Sequence, residues 1–121
     1  MVKMKRVSLI DVSYRAARTF GKEFNKYLLE NEKAIELDSY NPMLSAGHPA
    51  AYRFCFGLEH FEKNEYDLYL ISHSAGVNNK YIMKNAVEAG CHVKHLGPSE
   101  LTPDEAGYSS LLKIIESVLE S

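Results

Sequence analysis

The residues best suited to chemistry lie in two short polar stretches, each placed just after an apolar run. Asp11-Val12-Ser13-Tyr14-Arg15 is the first, and Ser72-His73-Ser74-Ala75-Gly76-Val77-Asn78-Asn79 is the second. Both lead into helical patterns. A helix N-terminus offers unpaired backbone N–H groups and a partial positive charge, so phosphate or another anionic group is its natural guest. Ser, Gly and Asn allow close backbone approach and add hydroxyl and amide partners. Arg15 and Arg18 would add charge. Asp38 closes another apolar run, where an acid often holds a ribose hydroxyl; an exposed strand-end carboxylate is the plainer alternative. Tyr40 suits stacking on a base, or packing at the rim. The candidate ligand-binding set is therefore Asp11, Ser13, Tyr14, Arg15, Asp38, Tyr40, Ser72, His73, Ser74, Gly76, Asn78 and Asn79. Ser74 or Asn78 would serve equally well as a helix cap.

Other constellations compete. Ser72-His73-Ser74-Ala75-Gly76 is similar to the G-x-S-x-G nucleophile elbow of α/β-hydrolases, with Ser72 in place of the first glycine. Ser74 would then be the nucleophile of a serine hydrolase, but no base can be assigned to it. Cys91-His92-x-x-His95 invites a metal reading. Strand alternation sends His92 and His95 to opposite faces, and no CxxC or HExxH accompanies them, so no metal is expected. Cys55 reads as core beside Phe54 and Leu58. Glu59 and Glu62 read as a solvated pair. His48 and Arg53 either close over a ligand or lie on the surface.

These residues need elements to position them. Val7–Val12 reads as a first strand, Ala34–Ser39 as a second, Asp67–Ser72 as a third and His92–Leu96 as a fourth. Helices are expected from Arg15 to Glu30, from Pro49 through Phe61, from the second polar loop to Ala89, and after Thr102. Phe20, Phe24, Tyr27 and Leu28 form one apolar stripe, and Leu111, Leu112, Ile115, Val118 and Leu119 another. Gly90 suits a helix C-terminus. Thr102-Pro103-Asp104-Glu105 reads as a capping box with Thr102 as the cap. Strands alternating with helices imply α/β class: a three-layer Rossmann-like sandwich with a short parallel sheet in the order 2-1-3-4. In such a sheet a ligand sits beyond the strand ends where the order reverses, between strands one and three. The two polar stretches flank that crevice.

At 121 residues, 45% hydrophobic and 25% charged, the chain has the composition of one globular domain. It has no run of 18 apolar residues, so no membrane span is expected. Nor does it show a signal peptide, and two cysteines are too few for a disulfide framework; the cytoplasm is expected. Net charge is −2, which gives no footprint for nucleic acid. Residues 1–26 carry +5, however, either as a solvated helix face or as an attraction for anionic partners. Eight tyrosines and five phenylalanines are many for this length, and Tyr14, Tyr40, Tyr52 and Tyr66 fall at element ends. Tyrosine is enriched at interfaces, so a homo-oligomer is expected.

The stretch SHSAGVNNKYIMKNAVEAGCHVKHLG, following DLYLI, resembles a segment of the SLOG and nucleoside deoxyribosyltransferase-like superfamily. In that group a Ser/Gly loop holds a sugar or phosphate, and the next helix ends in Ala-x-x-x-Gly, matched here by Ala86 and Gly90. RVSLIDVSYRAARTF looks like the group's first strand and ligand loop. The resemblance implies binding of a nucleotide, a nucleoside or an ADP-ribose-type compound, without a cofactor. The alternative it implies is cleavage or transfer of an N-glycosidic bond. The transferases place a nucleophilic Glu early in the helix after the loop; here that region reads Asn78-Asn79-Lys80-Tyr81, and Glu88 lies about three turns in. Binding is therefore implied more strongly than transfer, and no catalytic residue can be named.

Overall fold

The first strand, β1 (Lys5–Ile10), is buried over its last four residues, Val7, Ser8, Leu9 and Ile10. Two neighbours hide it, because β1 pairs in parallel with β2 (Ile35–Tyr40) on one side and β3 (Leu68–Ile71) on the other. β3 pairs in parallel with β4 (Val93–His95), which completes the expected order β2-β1-β3-β4. Around the sheet stand α1 (Tyr14–Glu30), α2 (Leu58–Lys63), α3 (Asn79–Glu88) and α4 (Glu105–Glu120), with a 3-10 turn at Pro98–Leu101. This computed structural model describes residues 3–12, 14–42, 58–74 and 79–120, with Tyr14 and Arg15 described by their backbone alone. Among these residues no helix is long and apolar enough to cross a membrane.

Alternation along the strands makes the three layers. Val7 and Leu9 turn to one face and meet Phe20, Phe24 and Leu28 of α1 and Leu111 and Ile115 of α4. Ile10, Tyr69 and Ile71 turn to the other and meet Phe61 of α2 and Ile82 and Ala86 of α3. Each fully buried Leu, Ile or Phe is worth roughly 1.5–3 kcal/mol over exposure. β3 is buried on both faces, which explains its unbroken apolar reading.

Each of the first three helices is followed by a residue in the left-handed region: Glu32 (φ 54°), Asn64 (φ 46°) and Gly90 (φ 79°). Gly90 donates to the Val87 carbonyl and Cys91 to that of Ala86, the C-terminal closure expected of a glycine there.

Several boundaries differ from expectation. β1 begins at Lys5 and ends at Ile10, so Val12 lies beyond the strand. Lys5 and Arg6 were hidden from an apolar-run reading because the strand's first two residues are exposed. The capping box at Thr102 is not formed. Asp104 caps α4 instead, accepting the Gly107 N–H at 2.7 Å, while the Thr102 hydroxyl donates to the Ser99 carbonyl. The helix expected from Pro49 is described only as α2; its start, with Ala51, Phe54 and Cys55, lies outside the described residues, as do His48 and Arg53.

Candidate functional site

Three strand ends meet at one polar knot. Asp11, the first residue past β1, is 8% exposed, and its N–H donates to the Tyr40 carbonyl at 3.0 Å. The Ser74 hydroxyl, from just past β3, donates to Asp11 Oδ1 at 2.9 Å. The same Ser74 Oγ accepts the Val12 N–H at 3.1 Å. Ser74 N–H in turn donates to Ser72 Oγ at 3.2 Å, and Ser72 N–H to the Ile10 carbonyl at 2.9 Å. Asn41, just past β2, donates from Nδ2 to the Val12 carbonyl at 2.9 Å. Asp11, Asn41 and Ser72 are all buried, so these bonds offset the cost of removing polar groups from water.

The described parts of the two polar stretches, residues 11–12 and 72–74, meet at the C-terminal edge of the sheet, joined through Ser74. Asn79 opens α3, and its Oδ1 is buried without a hydrogen-bond partner among the described residues. His73 is exposed beside Ser74. Ser13, Gly76 and Asn78 lie outside the described residues, and Tyr14 and Arg15 enter only as the backbone of the first turn of α1.

Other candidates go elsewhere. Asp38 does not end its strand; it stands opposite Ser8, two residues before the end of β2. Its Oδ2 accepts the Tyr66 hydroxyl at 2.8 Å and lies 3.5 Å from Arg6, so it is engaged away from the knot. Arg18 lines a separate polar groove with Lys22 and Asn25 along β2. Tyr40 lies flat on the His60 ring, centroids 3.9 Å apart, rather than open for a base. Glu59 pairs with Lys63 at 3.7 Å, and Glu62 is exposed. Among the described residues no group of three or more acidic, His or Cys side chains could hold a metal.

Among the described residues the serine-hydrolase reading finds no base. The partner of the Ser74 hydroxyl is the Asp11 carboxylate, and the histidine that does meet a serine is His60, whose Nε2 lies 2.8 Å from Ser8 Oγ on the α2 face of the sheet. This second cluster was not legible from spacing, since it joins residues 52 positions apart. Burial holds the His60 imidazole below its ordinary value, helped by Lys63 and opposed by Glu65 and Asp38. Burial and then the bond to Asp38 push the Tyr66 phenol up to about 12. Burial also pushes the Cys91 thiol up; its Sγ donates to the Phe61 carbonyl at 3.2 Å.

No family model and no curated protein matches the chain. Among solved structures it is similar to the lactose-specific IIB component domain of the phosphoenolpyruvate:carbohydrate phosphotransferase system of Streptococcus pneumoniae. Identity is 13%, the TM-score is 0.61, and the match covers 94% of this chain and 97% of that one. This is a likeness of fold over nearly the full length of both.

That finding corrects the resemblance to the SLOG and deoxyribosyltransferase-like group, and with it the expected nucleotide, nucleoside or ADP-ribose-type ligand and the N-glycosidic alternative. The segment that suggested them has structural reasons for its small residues. Ala86 is fully buried against the sheet, and Gly90 takes the positive φ after α3. A small residue against the sheet and a glycine after a helix suit a parallel α/β sandwich whatever its ligand.

Proposed function

We propose that this domain accepts and passes on a phosphoryl group, with the Asp11 carboxylate as the acceptor. One observation carries the reading: a nearly buried carboxylate stands at the end of a central strand, three residues before α1, with one oxygen fixed by the Ser74 hydroxyl. A carboxylate is a known type of covalent phosphoryl carrier, and burial strips it of the water that blunts its attack. The first-turn N–H groups of α1 suit the oxygens of an incoming phosphoryl group. That the structurally similar IIB domain belongs to a carbohydrate phosphotransferase system supports the same class of chemistry. Asn79 Oδ1, without a partner among the described residues, suits a hydroxyl donor, as a sugar acceptor would present. The free thiol of Cys91 fits a reducing compartment, and we place the protein in the cytoplasm.

In the loading step an Asp11 carboxylate oxygen attacks phosphorus. An O–P bond forms, the P–N or P–O bond of the phosphorylated donor breaks, and the donor leaves with that electron pair and takes a proton from solvent. In the unloading step a hydroxyl oxygen of the acceptor attacks phosphorus. The bond to Asp11 breaks, its electron pair returns to the carboxylate, and the hydroxyl proton passes to solvent.

The test uses acetyl phosphate and phosphoramidate as donors and reads the intact mass. One phosphoryl group should be gained, removed by hydroxylamine, and absent in Asp11→Asn. No adduct from either donor, or an adduct that persists in Asp11→Asn, overturns the assignment.

A further inference from the structure

A groove of about 790 Å³ runs between the first half of α1 and the connection into α4. Its floor is aromatic: Phe20 and Tyr108 meet edge to face, with centroids 5.4 Å apart. Leu101 and Pro103 add apolar wall. Among the described residues, the charged groups that line this floor or act on it are carboxylates. Glu23, on the α1 side, is exposed and makes no ion pair among the described residues. Asp104 caps α4 with one oxygen at 2.7 Å from the Gly107 nitrogen. Both carboxylates act on the Tyr108 phenol, which burial first and then Glu23 and Asp104 push up. The groove belongs to the α1/α4 face and shares no residue with the Asp11 knot.

The face of an aromatic ring is its negative side, and a cation over it is attracted. Exposed carboxylates beside it add the modest attraction of a surface ion pair. An anion meets the opposite on both counts. We propose that this groove is a binding site for an organic ammonium compound, its aromatic or branched aliphatic body against Phe20 and Tyr108 and its charge toward Glu23 and Asp104.

Three probes of nearly equal size separate charge from apolar contact: phenethylammonium, phenethyl alcohol and phenylacetate. Titrated into isotope-labelled protein and followed by amide NMR, phenethylammonium should shift Ala16, Glu23, Leu101 and Tyr108. Phenethyl alcohol should bind about three- to fivefold more weakly at low salt, the worth of an exposed ion pair, and phenylacetate more weakly still. Glu23→Gln should bring the ammonium probe part of the way to the level of the alcohol, and Glu23→Gln with Asp104→Asn the rest of the way. Ala16→Trp adds bulk from an exposed position and should abolish the shifts without touching the core. Equal binding of all three probes, no binding of any, shifts elsewhere, or an unchanged affinity in Glu23→Gln overturns the proposal.

Discussion

His60 shows how one side chain ties stability to pH. Burial depresses its folded value below 6.5, so the unfolded chain takes up the proton first as pH falls through 6.5. Stability should therefore be full above 6.5 and decline below it until the folded imidazole also titrates. Denaturant melts on either side of that value measure the decline, and His60→Gln should flatten it. An unchanged slope in the variant would move the effect to other groups. Of the residues gathered at the strand ends, Asp11, Ser72 and Ser74 were readable, because polar residues directly after apolar runs in an α/β pattern must fall at the C-terminal edge of the sheet. Asn41 was not, nor was Ser8 of the separate His60 cluster. Asn41 sits in a turn-rich stretch that looks like punctuation, and Ser8 is a single hydroxyl inside an apolar strand. What reveals them is partnership across the fold: Asn41 with the Val12 carbonyl, and Ser8 with His60.

At the level of elements, helices and strand edges hold the molecule's strictest tolerances. Gly107 lies where a Cβ would run into the Thr102 carbonyl group, so Gly107→Ala should drive the start of α4 off its cap. Losing a cap costs about 0.5–2 kcal/mol and backbone displacement adds to it, against at most about 1 kcal/mol regained from helix propensity. Melting temperature reads the sum, which should be a fall. On β2, Asn25 plugs an open edge. Its Nδ2 donates to the Leu37 carbonyl and its Oδ1 accepts the Leu37 N–H, both at 2.8 Å. Asn25→Ala should cost about 1–3 kcal/mol for the partly buried groups it strands. It should also raise self-association, because an unpaired edge invites another strand. A concentration series by light scattering would show it. The number, type and order of the strands came through in the sequence because period and length separate short buried strands from striped helices. The N-cap of α4 did not, because Thr102 and Asp104 are both good caps and only the backbone path chooses between them.

Taken whole, the molecule is a sheet with two unlike sides. One face is closed by α1 and α4, whose rings Phe20, Phe24, Tyr27 and Tyr108 pack on one another. The other is closed by α2 and α3, where His60 sits among Tyr40, Tyr66 and Tyr69. A fragment ending at Pro42 keeps β1, α1 and β2 but loses α4 and the buried partners of Ile10 from α2, β3 and α3. It should show no cooperative thermal melt by circular dichroism; a cooperative melt would mean that the first third carries a core of its own. The cause is the place of β1, which comes early in the chain yet lies between β2 and β3. A ribosome delivers that strand with one flank unsatisfied, and the flank stays so until residues up to Ile71 have left the exit tunnel. Through that interval the nascent chain bears a bare, sticky ribbon, and speed of translation or a chaperone's grip would decide how often it finds its own third strand before a stranger's.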